Sequence, residues 1–269
     1  MQYDPIKRSL GKVFNKTPFL RIVFYRLLDI LLLRAWYINK ELKSWKKNAP
    51  KDSKILDAGA GFGQYVYKLS TMGKSFEVTG VDVKDEQIAD CNSFFTKIGK
   101  SNRVKFEYAD LTKFNKPNTY NLILSVDVME HIEDDEAVFR NMYSSMKEGG
   151  MLLISTPSDQ GGSDVHDDHE EGFVDEHVRD GYNIEDIKNK LTAAGFSNVE
   201  ASYSYGKPGS LAWKLTMKYP ILMLNTSKLL FIVLPFYYIL VYPFSFMLNS
   251  KDLNDFHKSG TGLIVKAWK

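Results

Sequence analysis

Cysteine is nearly missing from this chain. Cys91 is the only one in 269 residues, which excludes an internal disulfide and a Cys-x-x-Cys redox pair. No internal repeat and no low-complexity tract is present, and no nucleophile, histidine and acid fall into the pattern of a hydrolase triad. The start, Met1-Gln2-Tyr3-Asp4, lacks the basic-then-apolar order of a secretory signal, so a cytosol-facing protein is expected. What is there is ample apolar material: 44% hydrophobic and 25% charged residues, enough for one sizeable core with elaborations.

The net charge of +2 conceals an asymmetry. The first fifty residues carry +8 and the rest −6, and aromatic and aliphatic residues interleave with these cations. That combination points to an anionic partner, lipid more than nucleic acid, with a solvated helix face as the plain alternative. Over 17–46, Leu20, Val23, Phe24, Leu27, Leu28, Leu31 and Leu32 recur at helical spacing, which predicts one long amphipathic helix.

After Ala49-Pro50-Lys51-Asp52-Ser53 the pattern changes to alternating strands and helices. Strands are expected at 54–58, 76–82, 103–108, 120–126, 151–156, 198–205 and 262–268, with helices at 64–72, 85–98, 134–147 and 184–194. Such alternation implies an α/β protein, a Rossmann-like doubly wound sheet whose ligand sits at the carboxyl ends of the strands. The domain reading is a basic helical region at 1–49, a core at 50–205, an inserted segment at 206–261 and a last core strand at 262–269.

The insertion is unusual. Residues 229–248 contain no charge, long enough to reach the threshold for a membrane span. Pro235 and Pro243 interrupt it, and the strands on both sides must share one compartment. A re-entrant or surface-embedded hairpin is the reading favoured here, with a soluble hydrophobic lid as the alternative.

Asp57-Ala58-Gly59-Ala60-Gly61-Phe62-Gly63 places a glycine-rich turn directly after an apolar strand and before a helix. The next strand ends on Asp82, where a carboxylate can receive the hydroxyls of a ribose. A dehydrogenase shares these two features. The acid before the glycines suits the cationic end of S-adenosylmethionine better than a pyrophosphate.

With these residues the chain resembles the class I S-adenosylmethionine-dependent methyltransferases. Asp57, Gly59, Gly61 and Gly63 match that family's DxGxGxG motif, Tyr108-Ala109-Asp110-Leu111 its adenine-side motif, and Ser125 to His131 its fourth motif. The resemblance implies seven strands with the last antiparallel. It also implies roles: Asp57 and Gly59, Ala60, Gly61 and Gly63 at the methionine end, Asp82 at the ribose, Asp110 at the adenine amine, Val83 and Leu111 against the adenine ring, and Ser125 nearby.

Acceptor-side residues are less defined. His131 and His177 are the candidate proton acceptors. Asp127, Glu130 and His131 also resemble the ligands that hold a divalent cation in quinone-biosynthesis O-methyltransferases, and this metal reading is the weaker one. Arg179 is expected to pair with an anionic group or a lid carboxylate, and His166, Asp168 and His169 to belong to a polar loop.

The function expected is methyl transfer to a lipophilic small molecule or lipid, at oxygen, on the inner face of a membrane as a peripheral or monotopic protein. The alternatives are a methyltransferase acting on protein or nucleic acid, and a non-catalytic S-adenosylmethionine-binding membrane module.

Overall fold

Apolar residues alternate along the central strands, and the alternation sorts them onto two faces. In a computed structural model that describes residues 17–161 and 178–269, Ile55, Leu122, Leu124 and Leu153 join one buried cluster. Leu56, Ile123, Leu152 and Ile154 join another. A sheet apolar on both faces requires helices on both. Strands β1 (Lys54–Ala58), β2 (Glu77–Asp82), β3 (Val104–Tyr108), β4 (Tyr120–Val126), β5 (Met146–Pro157), β6 (Asn198–Ser204) and β7 (Gly262–Trp268) form one sheet in the order β3-β2-β1-β4-β5-β7-β6. Of these seven strands, β7 alone runs opposite to the other six.

Among the described residues two helices precede the sheet, α1 (Pro18–Leu31) and α2 (Leu33–Lys46), followed by α3 (Gln64–Met72), α4 (Asp85–Lys97), α5 (Asp135–Ser145) and α6 (Ile184–Ala193) among the strands. Tyr25, Ile38, Leu42, Leu69 and Phe95 cover the first face; Val138, Phe139, Ile187 and Leu191 cover the second. Helix starts are set by short polar side chains: Asp134 accepts from the Ala137 amide and Asn183 from the Glu185 amide.

The single helix expected over 17–46 is corrected. Leu32 is extended (φ −92°, ψ 115°) and separates α1 from α2. An unbroken helix of that length would reach about 45 Å. The break lets α1 cross the glycine turn while α2 packs along the first face of the sheet. The last helical turn expected at 146–147 is likewise taken up by β5, which pairs Met146 with Tyr120.

Between β6 and β7 the inserted segment is helical: α7 (Lys207–Trp213), a π turn (Lys214–Lys218), α8 (Tyr219–Thr226), a 3₁₀ turn (Lys228–Ile232) and α9 (Leu234–Asn254). It is fastened along one edge. Buried Asp252 accepts from the Tyr37 hydroxyl (2.7 Å) and the Gly209 amide (2.9 Å). Tyr237 and Tyr238 donate to the carbonyls of Leu215 and Thr216. The opposite side is bare: Ile232 is 70% exposed, Phe236 67%, Ile239 69%, Leu240 80% and Met247 69%. Among the described residues no helix is long and apolar enough to cross a membrane.

Candidate active site

The first turn is shaped by two glycines. The Gly59 and Ala60 amides both donate to the Val81 carbonyl (2.9 Å each). Gly59 has φ +84°, and a Cβ there would lie 2.2 Å from Val128, so only glycine fits. Gly61 has φ +51° and faces open space apart from a distant Gln87 oxygen, leaving backbone exposed to a ligand. The Gly61 amide donates to an oxygen of Asp82 (2.9 Å), and the Lys84 amide to the other (3.0 Å). The Ala109 amide donates to the Asp82 carbonyl (3.0 Å), which draws Asp110 toward the same edge of the sheet.

Asp57 is the electrostatic centre of this edge. Burial, with a smaller contribution from the Asp82 charge, raises its carboxyl to about 7, opposed by the Val66 amide. Its Oδ2 is buried and has no hydrogen-bond partner in the protein, an arrangement whose cost a ligand cation would offset. The Ser125 hydroxyl is buried in the same condition. Asp110 accepts from the Thr112 hydroxyl (2.7 Å) and amide (3.0 Å), which hold its carboxyl below the usual range. Val83 stands out at 57% exposure while Leu111 is buried, giving one projecting and one inset apolar surface. Gly63 has φ +83° and caps α3. These residues fit S-adenosylmethionine: an orphaned carboxylate for the ammonium, a second for the ribose hydroxyls, exposed glycine backbone and an apolar slot.

The N-terminal helices are basic, yet Arg21 is internal and Arg34 is half-buried. Arg21 is buried and donates to Asp90 (2.6 Å), the Tyr25 hydroxyl (2.6 Å), the Phe62 carbonyl (2.7 Å) and the Cys91 sulfur (3.1 Å). Tyr25 also donates to the Phe62 carbonyl, so α1 grips the glycine turn from outside. Burial pushes the Cys91 thiol up to about 12, with Arg21 opposing, which leaves it a core thiol and not a nucleophile. Arg34 forms an ion pair with Asp127, and its amide donates to the Tyr205 hydroxyl (2.9 Å). The Tyr65 hydroxyl lies buried beside Arg34; burial raises it to about 12 although the guanidinium pulls the other way. No local signal in the sequence marks Arg21, Arg34, Tyr65 or Tyr205, because each acquires its role from a partner distant in the chain.

The residues after β4 diverge. Asp127 has φ +51° and turns to Arg34. Glu130 turns inward, accepts from the Thr156 hydroxyl (3.0 Å) and has its carboxyl raised by burial. His131 ends a 3₁₀ turn and is exposed. The His131 ring lies close enough to oppose the rise of the Glu130 carboxyl, but among the described residues no group of three His, Cys, Asp or Glu is placed to hold a metal ion. Arg179 does pair with a carboxylate, that of Asp135, and also donates to the Tyr182 hydroxyl (2.6 Å) and the Ile132 carbonyl (2.7 Å). His166, Asp168, His169 and His177 lie outside the described residues.

A doubly wound sheet that presents glycine backbone after its first strand and carboxylates after the next two is a nucleoside-binding domain of the methyltransferase type. A methyltransferase-domain family matches residues 49–202, and the chain belongs to the class I S-adenosylmethionine-dependent methyltransferases. It is 33% identical over 159 residues to phosphoethanolamine N-methyltransferase 1 of Triticum aestivum, covering 55% of this chain and 29% of that enzyme. It is 29% identical over 126 residues to a ubiquinone biosynthesis O-methyltransferase of Rickettsia felis, covering 46% and 49%. The chain therefore spans half or less of the length of these relatives.

Among solved structures, the phosphoethanolamine N-methyltransferase 2 of Haemonchus contortus, in complex with phosphomonomethylethanolamine and S-adenosylhomocysteine, superposes with a TM-score of 0.60 at 22% identity. That alignment covers 86% of this chain and 52% of the other. The [4+2]-cyclase SpnF gives 0.59 at 17% identity, covering 88% and 82%. At these identities the likeness concerns the fold.

Proposed function

We propose that this chain transfers the methyl group of S-adenosylmethionine to an oxygen of a lipophilic acceptor while lying on the inner face of a membrane. The observation that carries this reading is the bare apolar side of the 229–247 segment, far larger than scattered exposed residues require. The occupant of that side is taken to be lipid for two reasons. The segment has no charge of its own, and Lys228 and Lys251 flank it, as expected at an anionic bilayer surface. The segment also lies against the basic N-terminal helices: Trp36 of α2 packs on Phe246 of α9 at 4.9 Å, and the Tyr242 hydroxyl reaches the Ile30 carbonyl. The apolar side thus adjoins the helix that carries Arg34 to Asp127.

S-adenosylmethionine supplies an already activated methyl carbon, so no enzyme nucleophile is needed. The chain's residues have to orient the acceptor and accept its proton. Asp57 and Asp82 would hold the two ends of the donor, Arg34 and Asp127 would bound the acceptor side, and His131 is assigned as the proton acceptor.

A second reading follows from the names of the relatives, a polar phosphate-bearing amine as acceptor. Incubation with methyl-labelled S-adenosylmethionine and host membranes separates the two, using Asp82→Ala as blank. Asp82-dependent label in the organic phase is the expected outcome. Label confined to small aqueous products would replace the lipophilic acceptor with the polar one.

A further inference from the structure

The first turn of α3 buries a tyrosine hydroxyl to which no role has yet been given. Tyr65 is 8% exposed and belongs to the same buried cluster as Ile55 of β1. Alternate residues of a strand share a face, so Asp57, two positions after Ile55, lies on that face as well. The Val66 amide, next in the chain to Tyr65, bonds to the Asp57 carboxylate. Gln64 and Lys68 of the same helix are both bonded to Asp29 of α1 (3.0 Å each), which ties α1 down beside Tyr65 and keeps it covered. The place is the crevice of a doubly wound sheet: β1 and β4 are neighbours although β2 and β3 separate them in the chain, and the order of strands reverses there.

Asp57 and Tyr65 lack partners in complementary senses. Oδ2 of Asp57 can accept a hydrogen bond and receives none, and the Tyr65 hydroxyl has a proton to give that no described residue is placed to take. Burial raises the phenol to about 12, Arg34 opposes the rise, and Asp29 and Asp57 add to it. The guanidinium beside it holds donors only and cannot receive the proton. The hydroxyl therefore stays protonated at neutral pH, which excludes it as a base and leaves it a hydrogen-bond donor. An unpaired buried donor costs stability, as an unpaired buried acceptor does. A ligand that offsets both presents a cation to Asp57 and an anion to Tyr65. The amino-acid end of S-adenosylmethionine carries an ammonium and a carboxylate on one carbon.

We propose that the Tyr65 hydroxyl donates a hydrogen bond to the methionine carboxylate of S-adenosylmethionine, as the counterpart of Asp57 at the ammonium. Tyr65 lies just beyond the glycine motif, which ends at Gly63, and is a positioning residue for the donor. The assignment concerns the donor alone, so it stands with a lipophilic or a polar acceptor.

Calorimetric titration of the full chain with S-adenosylmethionine, decarboxylated S-adenosylmethionine and methylthioadenosine tests it. The second ligand lacks only the carboxylate, and the third lacks the whole amino-acid end. Wild type should bind S-adenosylmethionine about tenfold or more tightly than the decarboxylated form. Tyr65→Phe should lose about tenfold for S-adenosylmethionine and little for the other two, and its retained binding of methylthioadenosine would show that the site is intact. Asp57→Asn should instead weaken both ligands that carry the ammonium. A loss confined to S-adenosylmethionine in that variant would overturn the division of roles. Equal loss of all three ligands by Tyr65→Phe would reduce Tyr65 to a support for the glycine turn and overturn the assignment. Unchanged affinity for all three would overturn it as well and direct the hydroxyl to the acceptor. A wild type that binds the decarboxylated form as tightly as S-adenosylmethionine would overturn it without any variant.

Discussion

The guanidinium of Arg34 pairs with the carboxylate of Asp127, across 93 positions of chain. One partner begins a helix that precedes the sheet and the other sits at positive φ just after its central strand β4. The pair fixes the turn that follows β4, next to the edge where Asp57 and Ser125 wait with unpartnered oxygens. Both groups are about one-third exposed, so the pair contributes positioning more than stability.

Arg34→Ala should therefore act on turnover and not on donor binding. A fall of about tenfold in kcat is expected, with the Kd for S-adenosylmethionine little changed. Arg34→Lys should restore part of it, since a point charge replaces only part of the fork. Steady-state kinetics beside calorimetric titration of the donor would check this, and an equal loss in both would place Arg34 in the donor site instead.

Arg21 is a different case, buried and four times bonded. Its removal by Arg21→Ala strips Asp90 of a partner and the Phe62 carbonyl of one of two donors. A loss of about 2 to 4 kcal/mol in urea unfolding is expected, along with weaker donor binding because the glycine turn loosens.

Asp82→Ala removes the acceptor for the Gly61 and Lys84 amides and the proposed partner of the ribose hydroxyls. The affinity for S-adenosylhomocysteine should fall about 30- to 100-fold. Circular dichroism should show the sheet intact, since Asp82 ends its strand.

Asp57 imposes a pH dependence. Its carboxyl is raised to about 7 in the folded chain against about 4 when unfolded. The folded state accordingly holds a proton that the unfolded state has released between these values. The contribution to stability is complete below about pH 4 and is lost as pH rises to about 7. A bound ammonium favours the ionised form, so the thermal shift produced by S-adenosylhomocysteine should grow between about pH 6 and pH 8. Asp57→Asn should abolish that growth and make the ligand-free chain melt higher at pH 8.

Substitutions on the bare side of α9 should be thermodynamically quiet. Ile239→Ser/Leu240→Ser removes side chains that are 69% and 80% exposed, and chemical unfolding should change by no more than about 0.5 kcal/mol per site. Sedimentation with membranes should fall markedly. Retention at wild-type level would count against the membrane reading.

Most of the architecture was legible in the sequence. All seven strands lie where alternation and bounding turns place them, β1, β4 and β7 with unchanged limits, because a two-sided core writes itself as nearly continuous apolar runs. The glycine turn and Asp82 were equally visible, since backbone that must take positive φ and a carboxylate at the next strand end are local requirements. The Leu32 break was not visible. No glycine or proline marks it, and it serves the packing of two helices on parts of the sheet still unbuilt at that point in the chain.

The sequence alone determined the class of fold, the donor's cradle at Asp57 to Gly63 and Asp82, and the existence of a long uncharged insertion, all of which depend on neighbours a few residues apart. Tertiary structure decided which charges face inward. Arg21 and Arg34 look like Lys46 and Lys47 in composition, yet the first two meet Asp90 and Asp127 while the others stay exposed. It also turned Glu130 toward Thr156 and away from a shared metal site, and it left one side of α9 uncovered. The reason is common to all three: burial and pairing depend on what arrives from elsewhere in the chain, and a helical or looped segment carries no local record of its partner.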